Sequence, residues 1–290
     1  MLSFFFNSLY RLYQFQRSKS MKNMGGIPRY VDLGGHSLFF WEFNTDHSDP
    51  IIFLHGLLDE GFSNRRIVRE LLGDRKHILV FDLPGYGRSR LPKIKYLFQI
   101  DVWADLLSAS FRSLGLKDIH LIGHSMGGLI SQHIVLKDKE KRISKLVLLA
   151  PGGMPHPKRD EIRELLFPKT EKSVVSLLHH LYGDEAPEPG YLMRKTLVTV
   201  WNGWENQFLQ ENTLGREDEI FHGKRVAEIK IPTLIIAGKD DQITPPEMMN
   251  QMNKLIKRSK LVWLEGARHA IHLERPAEIA QQIIKFTKRS

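Results

Sequence analysis

The sequence predicts an α/β protein: a mostly parallel, eight-stranded sheet covered by helices on both faces and interrupted once by a helical insertion. Three observations predict it. Short, nearly continuous apolar runs recur along the chain, helix-length amphipathic segments separate them, and the alternation stops after Leu149 and resumes at Thr233. Strands that are apolar on both faces belong to a parallel sheet buried between helices.

From Arg29 to Phe43 two β-rich runs flank Gly34-Gly35, a dipeptide that tolerates positive φ and so predicts a hairpin at an antiparallel edge. Apolar runs then follow at Ile51 to Leu54, His77 to Phe81, Ile119 to Ile122 and Leu146 to Leu149. Between them Arg66 to Leu72, Asp101 to Leu114 and Met126 to Leu136 carry apolar residues at three- and four-residue spacing and predict helices. From about Met154 to Lys230 there are charged, helix-like stretches and no strong strand candidate. Strands resume at Thr233 to Ala237 and Leu261 to Leu264, and a last helix opens near Pro276. The expected organisation is an N-terminal extension over residues 1–27, a core over 28–153 and 231–290, and a helical insertion over 154–230.

The chain has 290 residues, 42% of them hydrophobic and 26% charged, a balance suited to a globular core rather than to disorder or to membrane embedding. Its net charge of +9 comes from Lys and Arg scattered along the whole length without a nucleic-acid recognition motif, so no nucleic-acid partner is expected. There is no cysteine, which excludes disulfides, thiolate metal ligands and a Cys nucleophile. Neither a signal peptide nor a membrane-spanning stretch is read at the N-terminus, so a cytoplasmic location is expected. Leu2, Phe5, Phe6, Leu9, Leu12 and Tyr13 nevertheless recur at helical spacing, with Arg11, Arg17, Lys19 and Lys22 among or after them. That pattern predicts an amphipathic helix able to lie on an anionic membrane.

The strongest chemical signal is Gly123-His124-Ser125-Met126-Gly127, placed directly after an apolar strand and before a helical pattern. Small residues on either side allow a turn sharp enough to push the Ser125 hydroxyl clear of the sheet. A serine hydroxyl is a weak nucleophile at neutral pH, so a base and an acid that orients it are needed from elsewhere. His269, just after the last strand, is the base candidate, and His272 is its rival three residues on. Asp241, on the loop after Thr233 to Ala237, is the acid candidate beside Asp240. Both loops leave the carboxyl ends of strands, where open α/β sheets place their sites.

With Ser125, Asp241 and His269 in that chain order, the sequence resembles the α/β-hydrolase superfamily over almost all of residues 28–290. His55-Gly56-Leu57 resembles that family's oxyanion loop, Asp82 to Ser89 its turn after the next strand, and Gly123 to Gly128 its nucleophile elbow. The resemblance implies an α/β-hydrolase fold with a Ser125, Asp241, His269 triad, because in that family the acid follows a glycine, here Gly238, and precedes a proline, here Pro245. It further implies an oxyanion hole from the backbone N–H groups of Leu57 and Met126. His55 reads as a brace for its loop rather than as a second base.

The implied reaction is hydrolysis of a small-molecule carboxylic ester through an acyl-enzyme, requiring neither metal nor cofactor. The insertion resembles the family's cap, in which Leu165, Leu166, Phe167, Leu177 and Leu178 are candidates to line an apolar pocket. Leu181, Trp201, Trp204 and Phe208 are further candidates for the same role. Among capped branches the chain most resembles monoacylglycerol-lipase-like esterases, on Gly123 to Gly128 and on Ala150-Pro151-Gly152-Gly153-Met154. Two alternatives stay open: a thioester or carbon–carbon bond hydrolase using the same triad, and a ligand-binding receptor on a hydrolase fold.

Overall fold

A computed structural model describes residues 17–45, 49–74, 76–213 and 216–288. The pattern read over residues 2–13 lies outside the described residues. The sheet follows from strands whose alternate side chains enter two different cores. Its eight strands are β1 (Ile27–Asp32), β2 (Ser37–Phe43), β3 (Ile51–Leu54), β4 (Ile78–Phe81), β5 (Ile119–His124), β6 (Ile143–Leu149), β7 (Thr233–Gly238) and β8 (Ser259–Leu264). They lie in the order β1-β2-β4-β3-β5-β6-β7-β8. β1 and β2 run antiparallel to their neighbours, and every later pairing is parallel. The Gly34-Gly35 turn adopts the positive φ its residues allow, 66° and 97°.

Ile52 and Leu54 of β3, Leu121 of β5, Leu146 and Leu148 of β6 and Ile235 of β7 point into one apolar cluster, which is closed by α3 (Ile100–Ser113), α4 (Met126–Lys137) and α10 (Pro246–Leu255). Ile51, Phe53, Ile122, Val147, Leu149 and Ile236 point into the other, closed by α2 (Arg65–Leu72) and α12 (Pro276–Thr287). This period of two with both sets buried explains why the runs are continuously apolar. Each fully buried Ile, Leu, Val or Phe contributes about 1.5–3 kcal/mol relative to exposure.

Residues 17–23 are helical and form α1. Met21, fully buried, fixes α1 in the second cluster. Arg17 pairs with Glu60 at 2.6 Å, and Arg88 bonds Ser18. Between β6 and β7 the described chain forms α5 (Arg159–Leu166), α6 (Glu171–Tyr182), α7 (Tyr191–Trp201), α8 (Trp204–Thr213) and α9 (Glu217–Ile220), with two short 3-10 segments and no strand. These helices sit over the carboxyl ends of the strands, held by Ala270 N–H to Leu181 O at 3.0 Å, Tyr86 Oη to Asn206 Oδ1 at 2.6 Å, and the His133 ring to Ile220 O at 2.9 Å. No helix among the described residues is long and apolar enough to cross a membrane.

Candidate active site

β5 ends at His124 and α4 begins at Met126, so Ser125 alone makes the turn, at φ 52° and ψ −116°. A non-glycine residue there carries roughly 1–3 kcal/mol of backbone strain, which the surroundings must impose. They do so by fixing both its peptide groups. Ser125 N–H donates to Leu149 O at 3.0 Å, and Ser125 O accepts from the amides of Gly128 and Gly152 at 2.9 and 3.0 Å. The turn also needs its flanking glycines. A Cβ on Gly123 would lie 2.3 Å from Gly127 O, and one on Gly127 would lie 2.4 Å from Leu54 O.

The loop after β8 brings His269 to this serine, with Nε2 at 2.9 Å from Ser125 Oγ. On its other side Nδ1 lies 2.8 Å from Asp241 Oδ2. A carboxylate only accepts, so Nδ1 carries the proton and Nε2 is left as acceptor for the serine hydroxyl. Both partners are buried, at 2% exposure each, while Ser125 is half-buried. Asp241 follows β7, and its Oδ1 accepts from the amides of Ile243 and Thr244 at 2.8 and 2.9 Å. Burial pushes the Asp241 carboxyl up. The facing His269 and the hydrogen bonds from His269 and Thr244 more than offset that, holding it below its ordinary value and therefore ionised.

Neither rival residue joins the relay, although His272 borders the same cavity as Ser125 and His269. Asp240 is exposed and borders a separate open cavity with Lys239 and Glu247. His272 is buried in α11 (Ile271–Glu274), its ring centroid 4.2 Å from that of His124, and burial holds it well below the usual imidazole range. His55 accepts from Leu83 N–H at Nε2, 2.8 Å, so its Nδ1 bears the proton and donates to Gly56 O, also at 2.8 Å. It thus ties the loop after β3 to the loop after β4. Burial lowers its pKa to about 4, keeping it a neutral brace.

Two positions escaped the sequence reading. Thr244 Oγ1 donates to Asp241 Oδ2 at 2.7 Å, and His124 holds the backbone carbonyl of His269 through Nε2 at 3.0 Å. The first had a readable signal, since an aspartate whose carboxylate caps the amides two and three residues on is an Asx-type turn, and Asp241-x-x-Thr244 fits it. The second had none, because 145 residues separate the partners.

Two cavities meet at Ser125. The larger, about 280 Å³, is bordered by His269, Arg17 and the apolar side chains of α6 and α7, among them Leu177, Leu178, Leu181 and Trp201. The smaller, about 80 Å³, is bordered by Met126, Leu129, Phe167 and Met248. Leu57 and Leu166 border both. Leu165 faces the open cavity beside Asp240 instead, while Trp204 and Phe208 pack on the first core cluster. Trp204 does so edge-on to Phe98, with ring centroids 5.0 Å apart. Among the described residues no group of three or more His, Asp or Glu is arranged to hold a metal ion.

A doubly covered parallel sheet with a serine at a strand-to-helix elbow, and an aspartate and a histidine on two later strand ends, defines the α/β-hydrolase class. The family model described as "Alpha/beta hydrolase family" matches residues 51–282, and the chain belongs to that family. It is 28% identical over 276 residues to an AB hydrolase superfamily protein, YisY, of Bacillus subtilis (strain 168), covering 90% of this chain and 99% of the relative. It is 25% identical over 292 residues to Lipase 1 of Psychrobacter immobilis, covering 97% of this chain and 89% of that one. In fold it matches a putative lipase from Acinetobacter baumannii AYE with a TM-score of 0.83, at 21% identity over 94% of this chain and 95% of the other.

Proposed function

We propose that the protein is a serine hydrolase that cleaves apolar, lipid-like carboxylic esters, of which monoacylglycerols are one kind, through an acyl-enzyme. The single observation that carries this reading is the continuous relay from Ser125 Oγ through His269 to Asp241, with links of 2.9 and 2.8 Å. Ser125 attacks the acyl carbon while His269 Nε2 takes its proton, and ionised Asp241 stabilises the imidazolium. His269 then protonates the leaving alkoxide, and water repeats the sequence to release the acid.

The amide N–H groups of Leu57 and Met126 are the oxyanion donors in this reading. Met126 is the first residue of α4, where amides have no intrahelical acceptor, and Leu57 follows Gly56 on the facing loop. Helices α5 to α9, within residues 154–230, act as the cap that supplies apolar walls and keeps bulk water from the acyl-enzyme. An apolar ester suits those walls, and the relative named Lipase 1 agrees with it.

Fluorophosphonate labelling compared between the native protein and Ser125→Ala tests the assignment. Labelling is expected in the native protein alone, and persistence in the variant refutes Ser125 as nucleophile. Thioesters and vinylogous diketones in a substrate panel separate the ester reading from thioester and carbon–carbon hydrolysis.

Peripheral membrane contact belongs to the same proposal. Arg17 borders the larger cavity, and Leu2, Phe5, Phe6, Leu9, Leu12 and Tyr13 recur at helical spacing in the sequence before it, with Arg11 among them. Deleting residues 1–16 is expected to abolish co-sedimentation with anionic liposomes. Undiminished co-sedimentation overturns this part.

A further inference from the structure

We infer that the enzyme prefers esters joining a short acyl group to a long apolar alcohol. This rests on the ester-hydrolase reading and turns on which cavity receives which pole of the ester. His269 borders the larger cavity and not the smaller, whereas Met126 borders the smaller and not the larger. In the tetrahedral intermediate the acyl carbon carries Ser125 Oγ, the oxyanion, the acyl chain and the alcohol oxygen. The oxyanion faces the Leu57 and Met126 amides. When the carbon–oxygen bond to the alcohol breaks, the electron pair leaves with that oxygen and His269 Nε2 supplies its proton. The alcohol therefore lies on the imidazole side, in the larger cavity. The acyl chain takes the remaining direction, toward Met126 and Leu129. Water afterwards gives its proton to His269 and its hydroxyl to the acyl carbon, and Ser125 recovers its proton as the acid departs.

Size then sets the preference. The acyl side holds about 80 Å³ against about 280 Å³ on the alcohol side, less than a third as much. Leu129, Phe167, Leu209 and Met248, four of the apolar walls of the small cavity, are all at most 5% exposed. Buried, close-packed walls do not stretch to admit extra methylenes without displacing their neighbours. The larger cavity is walled mainly by apolar side chains, Leu177, Leu181, Met193, Leu197 and Trp201, with Arg17 and Asp59 also bordering it, and that apolar stretch fits an alkyl chain. A long-chain monoacylglycerol places its chain on the restricted side and is expected to be the poorer kind of substrate.

Decyl acetate and ethyl decanoate are isomers that partition from water alike and differ only in which pole carries the chain. Measured by pH-stat on the full chain, kcat/KM for decyl acetate is expected to exceed that for ethyl decanoate by about tenfold or more, the scale on which a pocket rejects surplus methylenes. Phe167→Ala, or the milder Phe167→Leu if the first does not fold, is expected to raise ethyl decanoate turnover relative to decyl acetate. Trp201→Ala is expected to change decyl acetate alone. Equal rates for the isomers, or faster ethyl decanoate, overturn the assignment of poles while leaving the ester-hydrolase reading standing. Cleavage of neither isomer, with no fluorophosphonate labelling of Ser125, overturns the ester-hydrolase reading itself, and cleavage of neither with labelling intact overturns the preference.

Discussion

Thr244 places its hydroxyl 2.7 Å from Asp241 Oδ2, the same carboxylate oxygen that accepts the His269 Nδ1 proton. Asp241 is thereby gripped at both oxygens, since Oδ1 already accepts two backbone amides. A carboxylate that cannot rotate presents one fixed lone pair to the imidazole, and the ring in turn presents Nε2 to the serine.

Thr244→Val keeps the shape and the backbone amide but removes the hydroxyl donor. A hydrogen bond to a charged group is worth about 1.5–3 kcal/mol, so kcat is expected to fall about tenfold or somewhat more. The loss is expected mainly in kcat, because valine keeps the shape of the wall Thr244 gives the smaller cavity while the grip on Asp241 is lost. Ester hydrolysis at saturating and limiting substrate checks the split, and an unchanged kcat removes the positioning role.

Asp241→Asn offers His269 an amide that can donate where the carboxylate accepted. The imidazole then carries its proton on Nε2 and no longer receives the serine's, for an expected loss of about 10⁴ in kcat. Asp240→Asn, at the exposed neighbour, is expected to stay within about twofold, the behaviour of a surface substitution whose side chain makes no part of the relay. A comparable loss in both variants would reject the choice between the two aspartates.

Much of this arrangement is legible from residues alone, and the boundary of legibility has a physical cause. Strands β3, β5, β6 and β7 are apolar on both faces, and the elbow needs small residues at fixed positions, so both leave marks within a few neighbours in the chain. Asp241 and His269 were locatable because strand ends and chain order restrict where such groups can sit. What escaped depends on closure of the fold: the His124 hold on the His269 carbonyl spans 145 residues. The division of the site into two unequal cavities depends on how α5 to α8 settle over the sheet, and no local pattern encodes that. Trp204 and Phe208 illustrate the same limit, since they pack on the core while Leu209 of the same helix lines the smaller cavity.

Buried neutral imidazoles should make the fold acid-sensitive. His55 and His120 are lowered to about 4, and His124 and His222 to about 3, in each case first by burial. Their folded pKa values lie below the unfolded value of 6.5, so the unfolded chain binds more protons between those limits. The stability they contribute is complete above pH 6.5 and is lost as pH falls toward 3–4. Asp82 and Asp59 oppose them, because burial raises both carboxyls, Asp82 to about 7 with help from Glu60, and their effect on stability runs the other way, declining as pH rises through the folded values. Burial lowers His133, His156 and His272 as well, so the imidazoles outweigh the two raised carboxyls, and Tm is expected to drop steadily between pH 7 and pH 4. Calorimetry across that range gives the test, and a flat or rising Tm on acidification defeats it.

Gly127 marks the point where the elbow and the loop after β3 touch. A Cβ there would stand 2.4 Å from Leu54 O and 2.5 Å from His55 O, both backbone atoms fixed by the end of β3. Neither can swing aside as a flexible side chain does, so α4 or the His55-Gly56-Leu57 loop must move. Gly127→Ala is expected to cost about 3 kcal/mol or more, at the upper end of overpacking, and to lower kcat in whatever protein still folds. Gly73→Ala is the matched control. Its φ of −62° suits alanine and nothing lies within 4 Å of the added methyl, so it is expected to be neutral or to stabilise by about 0.4–1 kcal/mol. Urea unfolding of the two variants separates backbone collision from the general effect of replacing a glycine, and equal midpoints would show that the elbow yields more freely than its contacts imply.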